Sequence, residues 1–170
     1  MSGNIFRWTL RRELAEFDSD SAGRVCWIML NPSTATEEAD DPTIRRVVRF
    51  SRAWGFRSLV VVNLFPFRAT HPAACREWAT WERREDWGAR DAIYQNRQLV
   101  IKTARECDQI MAAWGAAPWA EPVAELLIEE LSRPMFCLGT TRHGAPKHPL
   151  ARGVHHIAAT QRPMAWPNQP

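Results

Sequence analysis

The 170-residue sequence contains little lysine, a single tyrosine and no long apolar run. Only two of its 22 basic residues are lysines, Lys102 and Lys147, and nine tryptophans accompany the one tyrosine. A helix that spans a bilayer needs about 20 consecutive apolar residues, so the sequence argues against a membrane partner. The polar N-terminus also lacks the apolar core of a signal peptide, and we therefore expect a cytoplasmic protein.

Acidic residues are absent from residues 133–170, where five basic residues lie. A second stretch without acids, residues 43–57, carries five arginines. The formal net charge of +3 is thus unevenly distributed along the sequence, with two strongly basic segments. Such segments are typical of a protein that binds a polyanion. A solvated basic face and an arginine bias from GC-rich codons are the alternative explanations.

Motifs for metals and common cofactors are also absent. The four cysteines, with no C-x-x-C pair among them, are Cys26, Cys75, Cys107 and Cys137. Their spacing argues against a zinc ribbon, and Cys26 and Cys137 lie in apolar runs typical of a core. The sequence has no Walker loop, no G-x-G-x-x-G after a strand and no G-x-S-x-G elbow. His155 and His156 are adjacent rather than spaced as ligands, so we expect no metal and no cofactor.

The apolar pattern predicts a single α/β domain over residues 1–170. Apolar runs predict strands at residues 25–30, 58–65, 109–114 and 134–138, and alternation predicts another at residues 4–10. Helices are predicted at residues 42–54, 81–106 and 121–131, the first capped by Asp41, and a loop at residues 66–80. Strands that alternate with helices form βαβ units, so we expect a mainly parallel sheet with helices on both faces.

Polar residues follow the predicted strands at the sheet edge where working residues of parallel sheets collect. Asn31 and Asn63 each end a buried strand, and an amide can fix a water or read the edge of a base. His148 lies in a loop stiffened by Pro146 and Pro149. It can donate to a developing negative charge or act as an acid or base. A turn residue or a surface histidine is the structural alternative for each.

Four longer motifs are WIMLNPSTAT at residues 27–36, DDPTIRR at residues 40–46, Trp54-Gly55, and VVVNLF at residues 60–65. Together they closely resemble an uncharacterised family catalogued as domain of unknown function 1643. The resemblance covers most of the chain and implies no activity.

The order of shorter motifs is similar to that of the uracil-DNA glycosylase superfamily. MLNPS at residues 29–33 resembles its first motif, with Asn-Pro in place of Asp-Pro, and Asn63 resembles its base-reading asparagine. AWG at residues 113–115 resembles the strand end that follows. HPL at residues 148–150 resembles the His-Pro motif and its wedge leucine, although the usual Ser-Pro continuation is missing. The resemblance implies a three-layer α/β/α sandwich with a mainly parallel central sheet.

We therefore predict a nucleic-acid base glycosylase that hydrolyses the N-glycosidic bond of a modified or damaged base in DNA. Asn31 would position the attacking water, His148 would stabilise the departing base, and Asn63 would read the flipped base. The candidate stacking residues are Phe65, Phe67 and Trp114. The candidate contacts to the nucleic-acid backbone are Ser33, Arg142, Lys147 and Arg152, and Leu150 is the candidate wedge.

Two other functions fit the same residues. One is a hydrolase or transferase that acts on the base of a free nucleoside or nucleotide, and the other is a module that binds a modified base without catalysis. The expected partner is nucleic acid, DNA rather than RNA, and the expected state is a monomer. The sequence does not name the base.

Overall fold

A computed structural model of the protein describes residues 5–14, 23–81 and 87–166. Six strands and four α-helices lie within these residues. The strands are β1 (Leu10–Glu13), β2 (Arg24–Met29), β3 (Ser58–Asn63), β4 (Gln109–Ala112), β5 (Phe136–Cys137) and β6 (Met164–Ala165). The helices are α1 (Pro42–Ala53), α2 (Pro72–Trp81), α3 (Trp87–Arg105) and α4 (Glu121–Leu131). The protein is therefore an α/β protein, as the sequence predicts.

The six strands form one mixed sheet in the order β1-β3-β2-β4-β5-β6. The four central strands are parallel, since β2 pairs in parallel with β3 and with β4, and β4 pairs in parallel with β5. Both edge strands are antiparallel to their neighbours. The prediction of a mainly parallel sheet is thus confirmed for the centre and wrong at the edges. An antiparallel neighbour needs no helical crossover, and the chain between β5 and β6 contains only a three-residue 3-10 helix, Gly153–His155.

Two predicted segments differ from the structure. The strand expected at residues 4–10 is found at Leu10–Glu13, and before it Phe6 forms only an isolated bridge with Phe67. Residue 4 lies outside the described residues. The loop expected at residues 66–80 is wrong, because helix α2 occupies Pro72–Trp81. The buried residues Cys75 and Ala79 of α2 are small, and they give little apolar signal.

The other predicted elements are confirmed. Strands β2, β3, β4 and β5 lie within the predicted runs or one residue outside them, and α1 and α4 match their predicted helices. Helix α3 accounts for the predicted helix at residues 81–106, of which residues 82–86 lie outside the described residues. The Asp41 side chain accepts from Ile44 N at 2.8 Å, so it caps α1 as expected. Pro42 occupies the first helical turn, where its missing N–H costs nothing.

Successive residues of the central strands face opposite sides of the sheet, and both sides are buried. Val25, Trp27 and Met29 pack in a cluster with residues of α1, such as Ile44 and Phe50. Cys26 and Ile28 pack on the other side with residues of α2, α3 and α4. All four cysteines are buried and free, in agreement with the expected core positions of Cys26 and Cys137. No helix within the described ranges is long and apolar enough to cross a bilayer.

Candidate functional site

An open cavity of about 420 Å³ lies where β2, β3 and β4 end. This volume is within the usual range of small-molecule sites, about 300–1,000 Å³. The predicted site residues that line it are Asn31, Ser33, Asn63, Trp114 and His148. They are far apart in the sequence and meet because parallel strands end at one edge of the sheet.

Asn63, the last residue of β3, lies at the wall of the cavity with only 1% of its surface exposed. Its side-chain Nδ2 is buried and has no hydrogen-bond partner in the described part of the chain. Its backbone carbonyl accepts from the Nδ2 of Asn96 on α3 at 2.8 Å, and the Leu64 carbonyl accepts from the same atom at 3.1 Å. Asn96 therefore holds the end of β3 in place. An unpaired buried amide donor is costly, and an acceptor beside Nδ2 would remove that cost.

Asn31 uses its amide donor within the protein. Its Nδ2 donates to the carbonyl of Ala69 at 2.7 Å and to that of Pro32 at 3.0 Å. These bonds tie the loop after β2 to the loop after β3. Since both partners are carbonyls, the amide nitrogen is fixed and Oδ1 remains as an acceptor. An acceptor on the cavity wall suits a water molecule or an N–H group of a ligand.

The loop after β5 returns the chain to the cavity at His148. Thr140 and Pro146 form an antiparallel bridge, and Lys147 N donates to the Gly139 carbonyl at 2.9 Å. This short hairpin brings His148 beside the loop after β4. Gly115 has a φ of +78°, and a Cβ at this glycine would lie 3.3 Å from the Cβ of His148. The histidine thus depends on a glycine at position 115.

The hydrogen bonding of His148 defines which nitrogen carries the proton. Leu150 N donates to Nδ1 of His148 at 3.1 Å, so Nδ1 is the acceptor and the proton of the neutral ring is on Nε2. Burial lowers the pKa of His148 below its ordinary value, although the nearby Asp41 raises it. Protonation would also turn Nδ1 into a donor facing another donor. His148 is therefore a neutral Nε2–H donor on the cavity wall at neutral pH.

The predicted stacking residues occupy three different environments. Trp114 lines the cavity and packs edge-to-face on Trp166, with ring centroids 5.1 Å apart. Phe65 is buried in the core and stacks on Trp119, at 5.0 Å and 26°. Phe67 stacks on Trp78 at 5.0 Å and 6°, and neither of these rings is in the cavity lining. The structure thus adds Trp119, which lines the cavity above Phe65.

The predicted backbone-binding residues other than Ser33 lie outside the cavity. Arg142 is exposed, and its Nε donates to Nε2 of His143 at 2.8 Å. Lys147 is half-buried and its stem runs past Gly139. Arg152 is exposed, and the Leu150 side chain is 37% exposed, two residues after His148. Arg142, Arg152 and Leu150 are thus exposed at positions close to His148 in the sequence.

Two charged residues of the cavity were not predicted as site residues. Arg7 lines the cavity from the segment before β1, and Asp41 lines it from the start of α1. The sequence predicts that Asp41 caps α1, which the structure confirms. The sequence does not predict that Asp41 also lines the cavity. Arg7 carries no local signal, because a contact between residues 7 and 35 cannot be read from spacing.

The described residues contain no group of three His, Cys, Asp or Glu side chains that could hold a metal ion. The side chains that line the cavity include amides, hydroxyls, an imidazole, a carboxylate and a guanidinium. Such a set can bind a polar heterocycle, orient water and stabilise charge.

Comparison with known proteins gives one match. Residues 7–150 match the model of a family described as a protein of unknown function, DUF1643. No curated protein and no solved structure matches the chain significantly. The matched range includes the whole cavity lining, from Arg7 to His148.

Proposed function

The chain belongs to the DUF1643 family, whose description assigns no activity, and we propose from its cavity that it is a nucleic-acid base glycosylase. The reaction would be hydrolysis of the N-glycosidic bond of a modified or damaged base in DNA. The observation that carries the proposal is that one cavity is lined by three suitable residues: Asn63, whose Nδ2 has no partner within the described residues, His148, whose Nδ1 accepts from Leu150 N, and Asn31, whose Nδ2 is held by two carbonyls.

Base recognition is assigned to Asn63 and to the aromatic wall. The Nδ2 donor of Asn63 would contact a carbonyl oxygen or ring nitrogen of the base and gain the hydrogen bond that no described residue provides. Trp119 and Trp114 offer ring surfaces near this donor, and Phe65 supports Trp119 from behind. A flipped base is commonly held in this way, by stacking and by hydrogen bonds to its edge.

Bond cleavage is assigned to His148. When the N-glycosidic bond breaks, its electron pair goes to the base and the sugar becomes cationic. The Nε2–H of neutral His148 would donate to the negative charge on the base. A fixed donor of this kind is worth about 10²–10³ in rate. The lowered pKa supports the role, since it keeps the ring neutral in a buried site.

The attacking water is assigned to Asn31 and Asp41. The Oδ1 of Asn31 would accept a hydrogen bond from the water and orient it towards the sugar. An amide is a poor base, whereas the Asp41 carboxylate on the same cavity wall can take the proton that the water loses. Its negative charge would also favour the cationic sugar.

Contact with the DNA backbone is assigned to Ser33, Arg142, Lys147 and Arg152, with Leu150 as the wedge. The exposed positions of Arg142, Arg152 and Leu150 around the His148 loop support this assignment. Within the proposal, the fold is a uracil-DNA glycosylase-like three-layer sandwich, and the protein acts as a cytoplasmic monomer. The helices on both faces of the sheet are consistent with that architecture.

The test is incubation with oligonucleotides that carry a panel of modified bases, followed by detection of alkali-labile abasic sites. His148→Ala should slow cleavage by about 10²–10³. His143→Ala is the matched control, since His143 is exposed in the same loop and is not in the cavity lining. Equal rates for the two variants would remove His148 from the mechanism. Tight binding of one modified base without any abasic site would instead favour a binding module.

A further inference from the structure

Arg7 places a buried positive charge on the wall of the cavity. The residue is only 8% exposed, and it lines the cavity together with Asn31 and Asn63. Its backbone is fixed, since Arg7 N donates to the Pro66 carbonyl at 2.9 Å. The segment before β1 therefore carries the guanidinium to the edge of the sheet where β3 ends.

The guanidinium is only partly satisfied within the described residues. Its Nη1 donates to the Ala35 carbonyl at 2.6 Å, but its Nε is buried and has no partner there. The ion pairs found in the described ranges are Arg12 with Asp40 and Arg97 with Glu130, so none of them involves Arg7. Buried charges are normally paired, because the loss of hydration is expensive.

A second arginine, Arg68, adds to the positive charge near Arg7. Arg68 is half-buried nearby, and its Nε is also buried without a partner in the described residues. Burial, and then the charge of Arg68, lower the pKa of Arg7 to about 10, while Asp41 raises it and Arg12 lowers it further. Arg7 is therefore charged at neutral pH. Asp40 is already paired with Arg12 at 2.7 Å, and Asp41 caps α1.

We propose that Arg7 binds a phosphate group of the nucleotide whose base contacts Asn63. This inference rests on the proposed function and specifies its substrate class: the cavity takes phosphorylated ligands in preference to neutral nucleosides. A guanidinium offers a planar fork of donors that matches phosphate oxygens, and a phosphate would supply the ion-pair partner that the described residues do not give Arg7. Asp41 on the same wall repels an anion, so the phosphate lies on the Arg7 side.

The experiment measures binding, without any need for turnover. Isothermal titration calorimetry at fixed ionic strength measures the dissociation constant of each ligand. The ligands are inorganic phosphate and a panel of bases, each base supplied as its nucleoside, as its 5′- and 3′-monophosphates and within a short single-stranded oligonucleotide. The proteins are wild type, Arg7→Met and Lys102→Gln. Lys102 is an exposed basic residue on α3, outside the two basic segments, and serves as the control. Where Arg7→Met does not fold, Arg7→Gln takes its place, because glutamine also lacks the charge and keeps a polar group at this position.

We expect the wild type and Lys102→Gln to bind one monophosphate about 10- to 100-fold more tightly than its nucleoside, in line with charged hydrogen bonds. Tighter binding of the free monophosphate than of the oligonucleotide identifies a free nucleotide as the ligand. Tighter binding of the oligonucleotide identifies a nucleic-acid strand as the ligand. Arg7→Met should lose the discrimination. It should also melt at the same temperature as the wild type or higher, because an unpaired buried charge is removed.

Equal binding of nucleoside and monophosphate by the wild type, or a preference that survives in Arg7→Met, would overturn the inference. A lower melting temperature of Arg7→Met with an unchanged phosphate preference would assign Arg7 to structure alone. The two proposals fail separately. Phosphate binding that depends on Arg7 without any base release contradicts only the glycosylase, and base release that ignores Arg7 contradicts only the phosphate site.

Discussion

Asp41→Asn removes a negative charge from the cavity while it keeps a cap on α1. The Asp41 carboxylate accepts from Ile44 N at 2.8 Å, and asparagine is about as good an N-cap as aspartate. Asp41→Ala removes both the charge and the cap, and loss of a cap costs about 1 kcal/mol. In a chain of 170 residues this corresponds to roughly 2–4 °C in Tm. We therefore expect Asp41→Ala to melt about that far below Asp41→Asn.

The charge of Asp41 also acts on the two ionisable groups that share the cavity. Burial lowers the pKa of both Arg7 and His148, and Asp41 raises both. Asp41→Asn should therefore move the pKa of His148 further below its ordinary value and strengthen phosphate binding at Arg7. Base release should fall in both variants, since each lacks the carboxylate that takes the proton of the water.

The assays are thermal unfolding and an NMR titration of the His148 ring. Glu129→Gln provides the control, because Glu129 is an exposed acidic residue on α4. The assignment of Asp41 to the cavity is refuted by an unchanged His148 pKa in Asp41→Asn. The assignment of the cap is refuted by equal Tm values of Asp41→Asn and Asp41→Ala.

Three further predictions concern the support of the site. Burial holds the folded-state pKa of His148 below 6.5. The contribution of His148 to the free energy of unfolding should therefore be complete above pH 6.5 and decline at lower pH, where the unfolded chain takes up the proton first. The slope should be at most about 1.4 kcal/mol per pH unit in urea unfolding, and absent in His148→Gln. Gly115→Ala should cost about 1–2 kcal/mol and displace His148, whereas Gly153→Ala, also at positive φ but in open space, should leave the His148 ring resonances unchanged. Asn96→Ala should lower the free energy of unfolding by roughly 1–3 kcal/mol, because the carbonyls of Asn63 and Leu64 lose their donor; an unchanged stability would contradict this role.

The sequence predicts best those elements whose side chains are large and apolar. Strands β2 and β3 are continuous runs with both faces buried, and α1 has a clear apolar face and a cap, so their bounds agree with the structure within a residue or two. Helix α2 buries the small residues Cys75 and Ala79, and it was predicted as a loop. Strand β1 has one buried residue, Leu10, and its position was wrong by several residues.

The sequence predicts those residues of the candidate site that directly follow a recognisable strand, and not those that long-range contacts place there. Asn31, Asn63 and His148 could be predicted because each follows a recognisable strand, and the sheet edge then brings them into one cavity. Arg7 could not, since its position depends on pairing with Pro66 and on contact with Ala35, both distant in the sequence. Trp119 was missed for the same reason, because the stacking partner that orients it, Phe65, is on another element.

The central claim is tested most directly by mass spectrometry of the products formed from a panel of modified oligonucleotides. We expect the wild type to release one free base for each abasic sugar, and Asn63→Ala and His148→Ala to release far less in the same time. Gln95→Ala, at an exposed residue next to Asn96 on α3, serves as the control. Wild-type protein that binds these oligonucleotides through Asn63 and releases no base from any of them would contradict the claim.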